Sequence, residues 1–182
     1  MPRLVAFLRA INVGGRVIKM EALKQAFAPF GGHSVETFLA SGNVIFDSHE
    51  RRVASLEQEI ENHLKQTFDI EIATFVRKMS EVAQAVEAVP FSKQQLAEAA
   101  ALNVGLLKKR LTKKQQEKLH QLGSDIDQFA TTSREVYWLC KRKQSESDFS
   151  NAVFERHVTS PCSFRTIRTL ERITKKFGEL EL

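Results

Sequence analysis

The spacing of apolar residues divides the first half of the chain into six elements. A continuous apolar run at residues 4–8 predicts a buried strand, and apolar residues at helical spacing predict a helix from Met20 that Pro29 and Gly31-Gly32 close. The pattern then predicts strands at 35–40 and 44–46 around a tight turn, a helix at 51–65 and a strand at 70–76. The order β-α-β-β-α-β is that of a ferredoxin-like unit.

The second half repeats this order after a connection. A helix from Ser80 stops before Pro90, and the Gln- and Ala-rich stretch 92–101 follows it. The later pattern predicts strands at 104–108, 126–130, 135–140 and 161–165, and helices at 112–122, 148–157 and 167–177. We therefore predict an α+β fold of two tandem ferredoxin-like (β-α-β-β-α-β) domains, at 1–90 and 91–182, with a C-terminal helix in the second.

Composition and charge indicate where the protein is located and which kind of partner it favours. A hydrophobic content of 42% and a charged content of 27% are typical of globular proteins, and no apolar stretch approaches the ~20 residues that span a bilayer. The N-terminus does not resemble a signal peptide, and the two cysteines, Cys140 and Cys162, are too few for a disulfide scaffold. We predict a cytoplasmic protein. The net charge of +5 favours an anionic partner.

Polar residues and glycines cluster in two segments that the predicted fold brings to one end of a sheet. Because strand one ends where strand three begins, the two segments share a rim. Glycine lets a ligand approach the backbone, and arginine offers a planar donor for phosphate or carboxylate. We predict that a small anionic ligand, phosphorylated or carboxylate, binds there. The alternative is that the glycines only form turns and the asparagines cap backbone groups. The rim residues are Arg9, Asn12, Gly14, Gly15, Ser41, Gly42 and Asn43.

Several segments resemble the mostly bacterial family known as domain of unknown function 1697. Residues 7–15 resemble the family's opening Leu-Leu-Arg-Gly-Ile-Asn-Val-Gly-Gly segment, and residues 41–46 its Ser-Gly-Asn-Val-Val-Phe hairpin. Residues 134–137 match its Arg-Glu-Val-Tyr segment, and 150–152 its Thr-Asn-Ala. The resemblance implies a fold and no activity.

The sequence also departs from the family pattern. Ala10 replaces a usual glycine, and Asp148 a usual lysine. Of the family's Thr-Thr-Arg-Asn-Trp-Asn-Thr segment, Arg165 and Thr169 remain, whereas the tryptophan and both asparagines are absent. The resemblance therefore implies a nearly intact N-terminal rim and an altered C-terminal half.

Other functions remain open. The five histidines lack metal-ligand spacing, so no metal site is predicted; no cofactor motif and no catalytic group is identified, and the sequence leaves open whether the protein is an enzyme. A nucleic-acid-binding protein is one alternative, by analogy with sheets whose aromatic side chains stack on bases, here Phe7, Phe46 and Phe75. A structural or protein-interaction module is another, and the oligomeric state stays open. The basic cluster for the nucleic-acid alternative is Lys108, Lys109, Arg110, Lys113 and Lys114.

Overall fold

The computed structural model describes residues 1–12, 14–15, 17–49 and 52–178, and these form two four-stranded antiparallel sheets and seven α-helices. The predicted mixed α+β class is confirmed. The chain separates into two compact units, one of Met1–Ala83 with Ile173–Leu182 and one of Gln84–Arg172. No helix among the described residues has the length and apolar character needed to cross a bilayer.

The first unit contains the sheet with strand order β2-β3-β1-β4, every neighbouring pair being antiparallel. The elements of this part of the chain are β1 (Arg3–Leu8), α1 (Met20–Gly31), β2 (Glu36–Phe38), β3 (Asn43–Asp47), α2 (Val53–Phe68), β4 (Thr74–Lys78) and α3 (Met79–Glu87).

The second unit contains the sheet with order β6-β7-β5-β8, also antiparallel throughout. Its strands and helices are α4 (Lys93–Glu98), β5 (Ala101–Leu107), α5 (Lys113–His120), β6 (Asp127–Thr131), β7 (Glu135–Cys140), α6 (Asn151–Val158), β8 (Cys162–Thr166) and α7 (Ile167–Phe177). Both α3 and α7 run across the boundary between the units.

Local sequence signals set several helix ends. In front of α4, the Ser92 hydroxyl accepts the Gln95 N–H at 3.1 Å while the Gln95 side chain accepts the Ser92 N–H at 2.8 Å. Thr112 and Gln115 form the same capping box in front of α5. Because each box satisfies two N–H groups that a helix leaves without partners, the boxes fix the start of α4 at Lys93 and the start of α5 at Lys113.

Other predicted boundaries were wrong in part, because strand pairing and local caps decide them. Gly31-Gly32 closes α1 as predicted, with Gly32 as the C-cap at φ of +55°, but Pro29 lies inside the helix. The fourth strand starts at Thr74 instead of residue 70, since Thr74 pairs with Leu8, the last residue of β1. The helix predicted from residue 148 starts at Asn151 because the Ser150 hydroxyl accepts the Val153 N–H.

Smaller differences affect the first hairpin and α2. The second strand is shorter than the predicted 35–40, since only Glu36–Phe38 pairs with β3. The predicted start of the second helix at Arg51 lies outside the described residues. That helix extends beyond residue 65 to Phe68 and ends at Asp69, whose φ is +54°.

The core of the first unit lies between its sheet and the helices α1 and α2. Phe27 of α1 meets Phe46 of β3 edge to face, with ring centroids 5.6 Å apart. Leu23, Ile60 and Leu64 are fully buried in the same cluster. Burial of each such side chain contributes about 1.5–3 kcal/mol. The cluster also includes Leu8, Ile11 and Val44, so it extends to the rim end of β1 and β3.

Glutamates cover the open edge of each sheet. On α2, Glu61 accepts the N–H of Thr74 at 2.8 Å and Glu57 accepts the N–H of Val76 at 2.8 Å. In the second unit, Glu155 of α6 accepts the N–H of Cys162 at 3.0 Å. An exposed strand edge invites pairing with another chain, so these carboxylates satisfy the edge from within.

Tyr137 on β7 gives the second unit a spectroscopic probe, because it is the single tyrosine in the chain. Its hydroxyl donates to the carbonyl of Ala85 at 2.8 Å, and burial, aided by the charge of Glu135, raises the pKa of Tyr137 to about 12. An unfolded phenol ionises near 10. We expect tyrosinate absorbance to rise with a midpoint near pH 12, whereas a midpoint near pH 10 would contradict this environment.

The raised pKa of Tyr137 also predicts how the free energy of unfolding changes at alkaline pH. Between the two pKa values the native state keeps a proton that the unfolded state has lost. The contribution of Tyr137 to the free energy of unfolding is therefore complete below pH 10 and declines as the pH rises from 10 to about 12. The experiment is a pH series of urea unfolding curves.

Candidate ligand site at the first loop junction

Two loops of the first unit meet at the end of β1, and we call residues 9–12, 14–15 and 39–43 the first loop junction. The N–H of Leu8 donates to the carbonyl of Gly42 at 2.8 Å, and the amide of Asn12 donates to the carbonyl of Ala40 at 2.6 Å. The N–H of Arg9 donates to the carbonyl of Ala73 at 2.9 Å. The structure thus brings Arg9, Asn12 and the turn 41–43 to one end of the sheet, and Gly14 and Gly15 lie in the loop that continues from Asn12.

The two asparagines hold this junction in shape. The side-chain oxygen of Asn12 accepts the N–H of Ile18 at 3.0 Å, so Asn12 links both ends of its own loop to the neighbouring turn. The Asn43 amide donates to the Phe38 carbonyl at 2.8 Å and to the Ser41 hydroxyl at 3.0 Å. Both side chains therefore bond to other parts of the protein, and they act as supports for the site.

Left-handed backbone conformations concentrate in the junction. Gly14, Gly15 and Gly42 have φ of +64°, +81° and +83°. Ala10 and Leu39, which have side chains, also take positive φ, at 55° and 61°. Such a conformation costs an L-residue about 1–2 kcal/mol. Ala10 stands where the family that the sequence resembles usually has glycine, so at this position the left-handed conformation lowers the stability of the protein.

The three glycines meet different surroundings. A Cβ at Gly42 would lie 2.9 Å from Cδ1 of Ile11, so this glycine permits the close approach of the two loops. Around Gly14 and Gly15 there is open space, and both residues are exposed. Glycine at these two positions leaves the backbone open to a ligand.

Exposure divides the seven predicted residues into two groups. Gly42 and Asn43 are buried, and Asn12 is occupied by its hydrogen bonds, so these three form the support. Gly14, Gly15 and Ser41 are exposed and Arg9 is half-buried, so a ligand would meet these four. Whether a ligand binds them stays a prediction.

Further residues that were not predicted also build the junction. Ile11 is buried against Gly42, Ala40 supplies the carbonyl that Asn12 bonds, and Leu39 carries one of the left-handed conformations. The apolar character of Ile11 is the one signal for burial in the sequence. A backbone acceptor and a left-handed leucine leave no local signal.

The aromatic side chains proposed to stack on bases do not face solvent, so that expectation was wrong. Phe7, Phe46 and Phe75 are all fully buried. Phe46 packs against α1, and stacking requires an exposed ring face.

Among residues 1–12, 14–15, 17–49 and 52–178, no group of three His, Cys, Asp or Glu side chains is placed to hold a metal ion.

The second unit contains an equivalent junction, which we call the second loop junction and define as residues 108–114 and 132–134. The N–H of Leu107, at the end of β5, donates to the carbonyl of Arg134 at 2.9 Å, as Leu8 does to Gly42. This bond places Arg134 beside the basic cluster that begins at Lys108. Arg134 was not among the predicted basic residues, because the contact depends on the pairing of β5 with β7.

The thiols of Cys140 and Cys162 are free and buried. They sit on β7 and β8 of the second unit, where Cys140 pairs with Ala101 at one end of β5 and Cys162 pairs with Leu107 at the other. Burial raises the pKa of Cys140, which makes its thiolate less available. Cys140 therefore behaves as a core residue, as its alternation with Val136 and Trp138 predicts.

Comparison with known proteins gives a family and a fold. No curated protein matches the sequence. The solved structure of the conserved bacterial protein SP0830 from Streptococcus pneumoniae is similar over 98% of this chain and 99% of that one, with a TM-score of 0.78 and 18% sequence identity. The model of the family described as "Protein of unknown function (DUF1697)" matches residues 1–137, which include the whole first loop junction. The chain therefore belongs to the DUF1697 family.

Proposed function

We propose that the first loop junction binds a small anionic ligand carrying a phosphate or a carboxylate. The observation that supports this most is the exposed, left-handed Gly14-Gly15 backbone, which lies in the loop that follows β1 and Arg9 and that Asn12 ties to the neighbouring turn. Without side chains the two glycines let an oxyanion approach backbone N–H groups, and a guanidinium supplies a charged donor to the same group.

The support of the junction matters as much as its donors. The Asn12 and Asn43 hydrogen bonds and the burial of Ile11 fix both loops before any ligand arrives. A pre-formed site does not lose the ordering entropy of two loops on binding. This is the physical reason for expecting a left-handed backbone to be retained here, where it costs stability.

A thermal-shift experiment tests the proposal with inorganic phosphate, a nucleoside monophosphate, a sugar phosphate and a dicarboxylate as probes. We expect at least one probe to raise the melting temperature, and we expect Arg9→Ala to lose most of that shift, because a hydrogen bond to a charged group contributes about 1.5–3 kcal/mol.

The matched control is Arg52→Ala, which removes an exposed arginine of the same unit that follows the other end of β3. Its shift should equal that of the wild type. The proposal is overturned by the lack of a shift with every probe, or by equal losses in the two variants. A protein-interaction module would give the first of these results.

Each half of the chain is also proposed to be a ferredoxin-like domain, at 1–90 and 91–182, in tandem. The strand orders β2-β3-β1-β4 and β6-β7-β5-β8 support this, because that order follows when a β-α-β-β-α-β chain places its first and third strands in the centre. The cytoplasmic location predicted from the sequence stays a prediction.

A further inference from the structure

The positive charge of the protein belongs entirely to the second unit. The first unit, Met1–Ala83 with Ile173–Leu182, has 12 lysines and arginines and 12 acidic residues. The second unit, Gln84–Arg172, has 15 lysines and arginines and 10 acidic residues, so it carries the whole net charge of +5. Charge segregation of this kind is a sign of a surface for a polyanion.

Within the second unit, the excess is concentrated at the second loop junction. Lys109, Arg110, Lys113 and Lys114 are exposed, and Lys108 and Arg134 are half-buried. The backbone beneath them is fixed. Leu111 is buried with its carbonyl accepting from the Gln116 amide at 3.0 Å, and the Thr112–Gln115 capping box anchors the start of α5. The six cations are therefore presented on an ordered base.

Two of these cations stand where they weaken the fold. Lys113 and Lys114 are the first two residues of α5, and the first turn of that helix contains no acidic residue. The N-terminus of a helix carries a partial positive charge, which favours acidic side chains there and disfavours lysine. Three more cations, at residues 108–110, precede the helix and its N-cap. A sequence that breaks a local rule without compensation in the fold commonly does so for function.

We propose that the second loop junction binds the phosphodiester backbone of a nucleic acid, independently of base sequence. Four exposed and two half-buried cations suit a chain of regularly spaced phosphates, to which lysine and arginine bind by releasing counterions. Base recognition is not part of the proposal, since residues 108–114 and 132–134 include no aromatic side chain that could stack on a base. An anionic membrane is disfavoured because the exposed large apolar residues among the described ones (Met1, Val17, Leu39 and Leu96) all lie outside this junction.

The experiment measures binding of the full chain to a fluorescent single-stranded RNA and to a duplex DNA by anisotropy over a range of salt. If all six cations contact phosphates, the logarithm of the binding constant should fall with the logarithm of salt with a slope of about −4 for the single strand and about −5 for the duplex. Tighter binding of one probe identifies which nucleic acid the surface prefers.

Two charge-reversal variants distinguish binding at this surface from a general effect of the net charge of the protein. Lys113→Glu with Lys114→Glu should reduce the single-strand slope by about 1.4 and weaken binding at least tenfold. Lys141→Glu with Arg142→Glu changes the net charge equally, but lies at the other end of β7. This control should retain most of the affinity.

The same variant has a second readout in stability. In low salt, K113E/K114E should melt a few degrees above the wild type, on the order of 3 °C, because the glutamates complement the α5 dipole. A variant that is more stable and yet binds less cannot be explained by misfolding. A second pair, K109E/R110E, should also lose affinity without contacting the helix dipole.

Three results would overturn the proposal. The first is wild-type binding without steep salt dependence. The second is equal loss of affinity in K113E/K114E and K141E/R142E. The third is binding to vesicles of anionic lipid but to neither nucleic acid.

Discussion

Replacing Gly42 by alanine should destabilise the protein by about 3 kcal/mol, because two costs add at this position. With φ at +83°, any L-residue costs about 1–2 kcal/mol. The new Cβ would also lie 2.9 Å from Cδ1 of Ile11 and 3.2 Å from Cβ of Leu8, both in the buried core, and such overpacking typically costs about 1–3 kcal/mol. The free energy of unfolding in urea measures the sum.

Gly15 provides the matched control, since its φ of +81° is close to that of Gly42 but a Cβ there meets nothing within 4 Å. Gly15→Ala should therefore lose only the conformational part, about 1–2 kcal/mol. Adding Ile11→Val to Gly42→Ala removes the atom nearest the new Cβ, so the double variant should lose less than the sum of the two single variants. Equal losses at Gly42 and Gly15 would show that the loops do not approach as closely as the structure has them.

Replacing Asp127 by alanine should cost about 3–5 kcal/mol, because its carboxylate accepts hydrogen bonds from three separate segments. The Trp138 indole N–H donates to it at 2.7 Å, the Ser147 hydroxyl at 2.7 Å and the Ser124 hydroxyl at 3.0 Å. Asp127 and Trp138 are both buried, so alanine leaves the indole N–H without an acceptor in an apolar surrounding. The connection between β7 and α6 loses its anchor at Ser147.

The single tryptophan of the chain makes this loss directly visible. Asp127→Ala should shift the Trp138 emission and lower the urea midpoint. Asp127→Asn, which keeps an oxygen acceptor for the indole, should lose about half as much. Asp125→Ala is the control, since Asp125 is exposed two residues away and should change stability by less than about 0.5 kcal/mol. If the Asp125 and Asp127 variants were equally stable, the network around Trp138 would not contribute as described.

If both loop junctions bind anions, they do so by different means. The first junction combines one half-buried arginine with exposed glycine backbone in a unit without net charge, which suits a small ligand held by a few directed hydrogen bonds. The second has six cations and no glycine, which suits a polyanion held by charge. Arg9→Ala and K113E/K114E therefore test two separate functions, and either can fail without the other.

The parts of this fold that depend on neighbours in the sequence could be predicted from it. The helix Ile167–Phe177 follows from apolar residues three and four positions apart, and the starts of α4 and α5 follow from capping boxes that span four residues each. The strand Glu135–Cys140 follows from its run of apolar residues after Glu135. Element order then placed residues 9–15 and 41–43 at the same end of one sheet, since strands of fixed direction leave few arrangements.

The tertiary structure alone decided which of those residues a ligand can reach. The sequence shows that Asn12, Asn43 and Gly42 are polar or small. The contacts of Asn12 with Ala40 and of Gly42 with Ile11 come from a loop about 30 residues away, whereas Asn43 bonds to Phe38 and Ser41 in its own turn. These contacts make all three residues supports of the junction. The start of β4 at Thr74, the burial of Phe7 and Phe75, and the place of Arg134 beside Lys108 were likewise decided by strand pairing and packing. The physical reason is range: capping and periodicity act within one or two turns of chain, whereas exposure and loop contact are set by segments that meet only after folding.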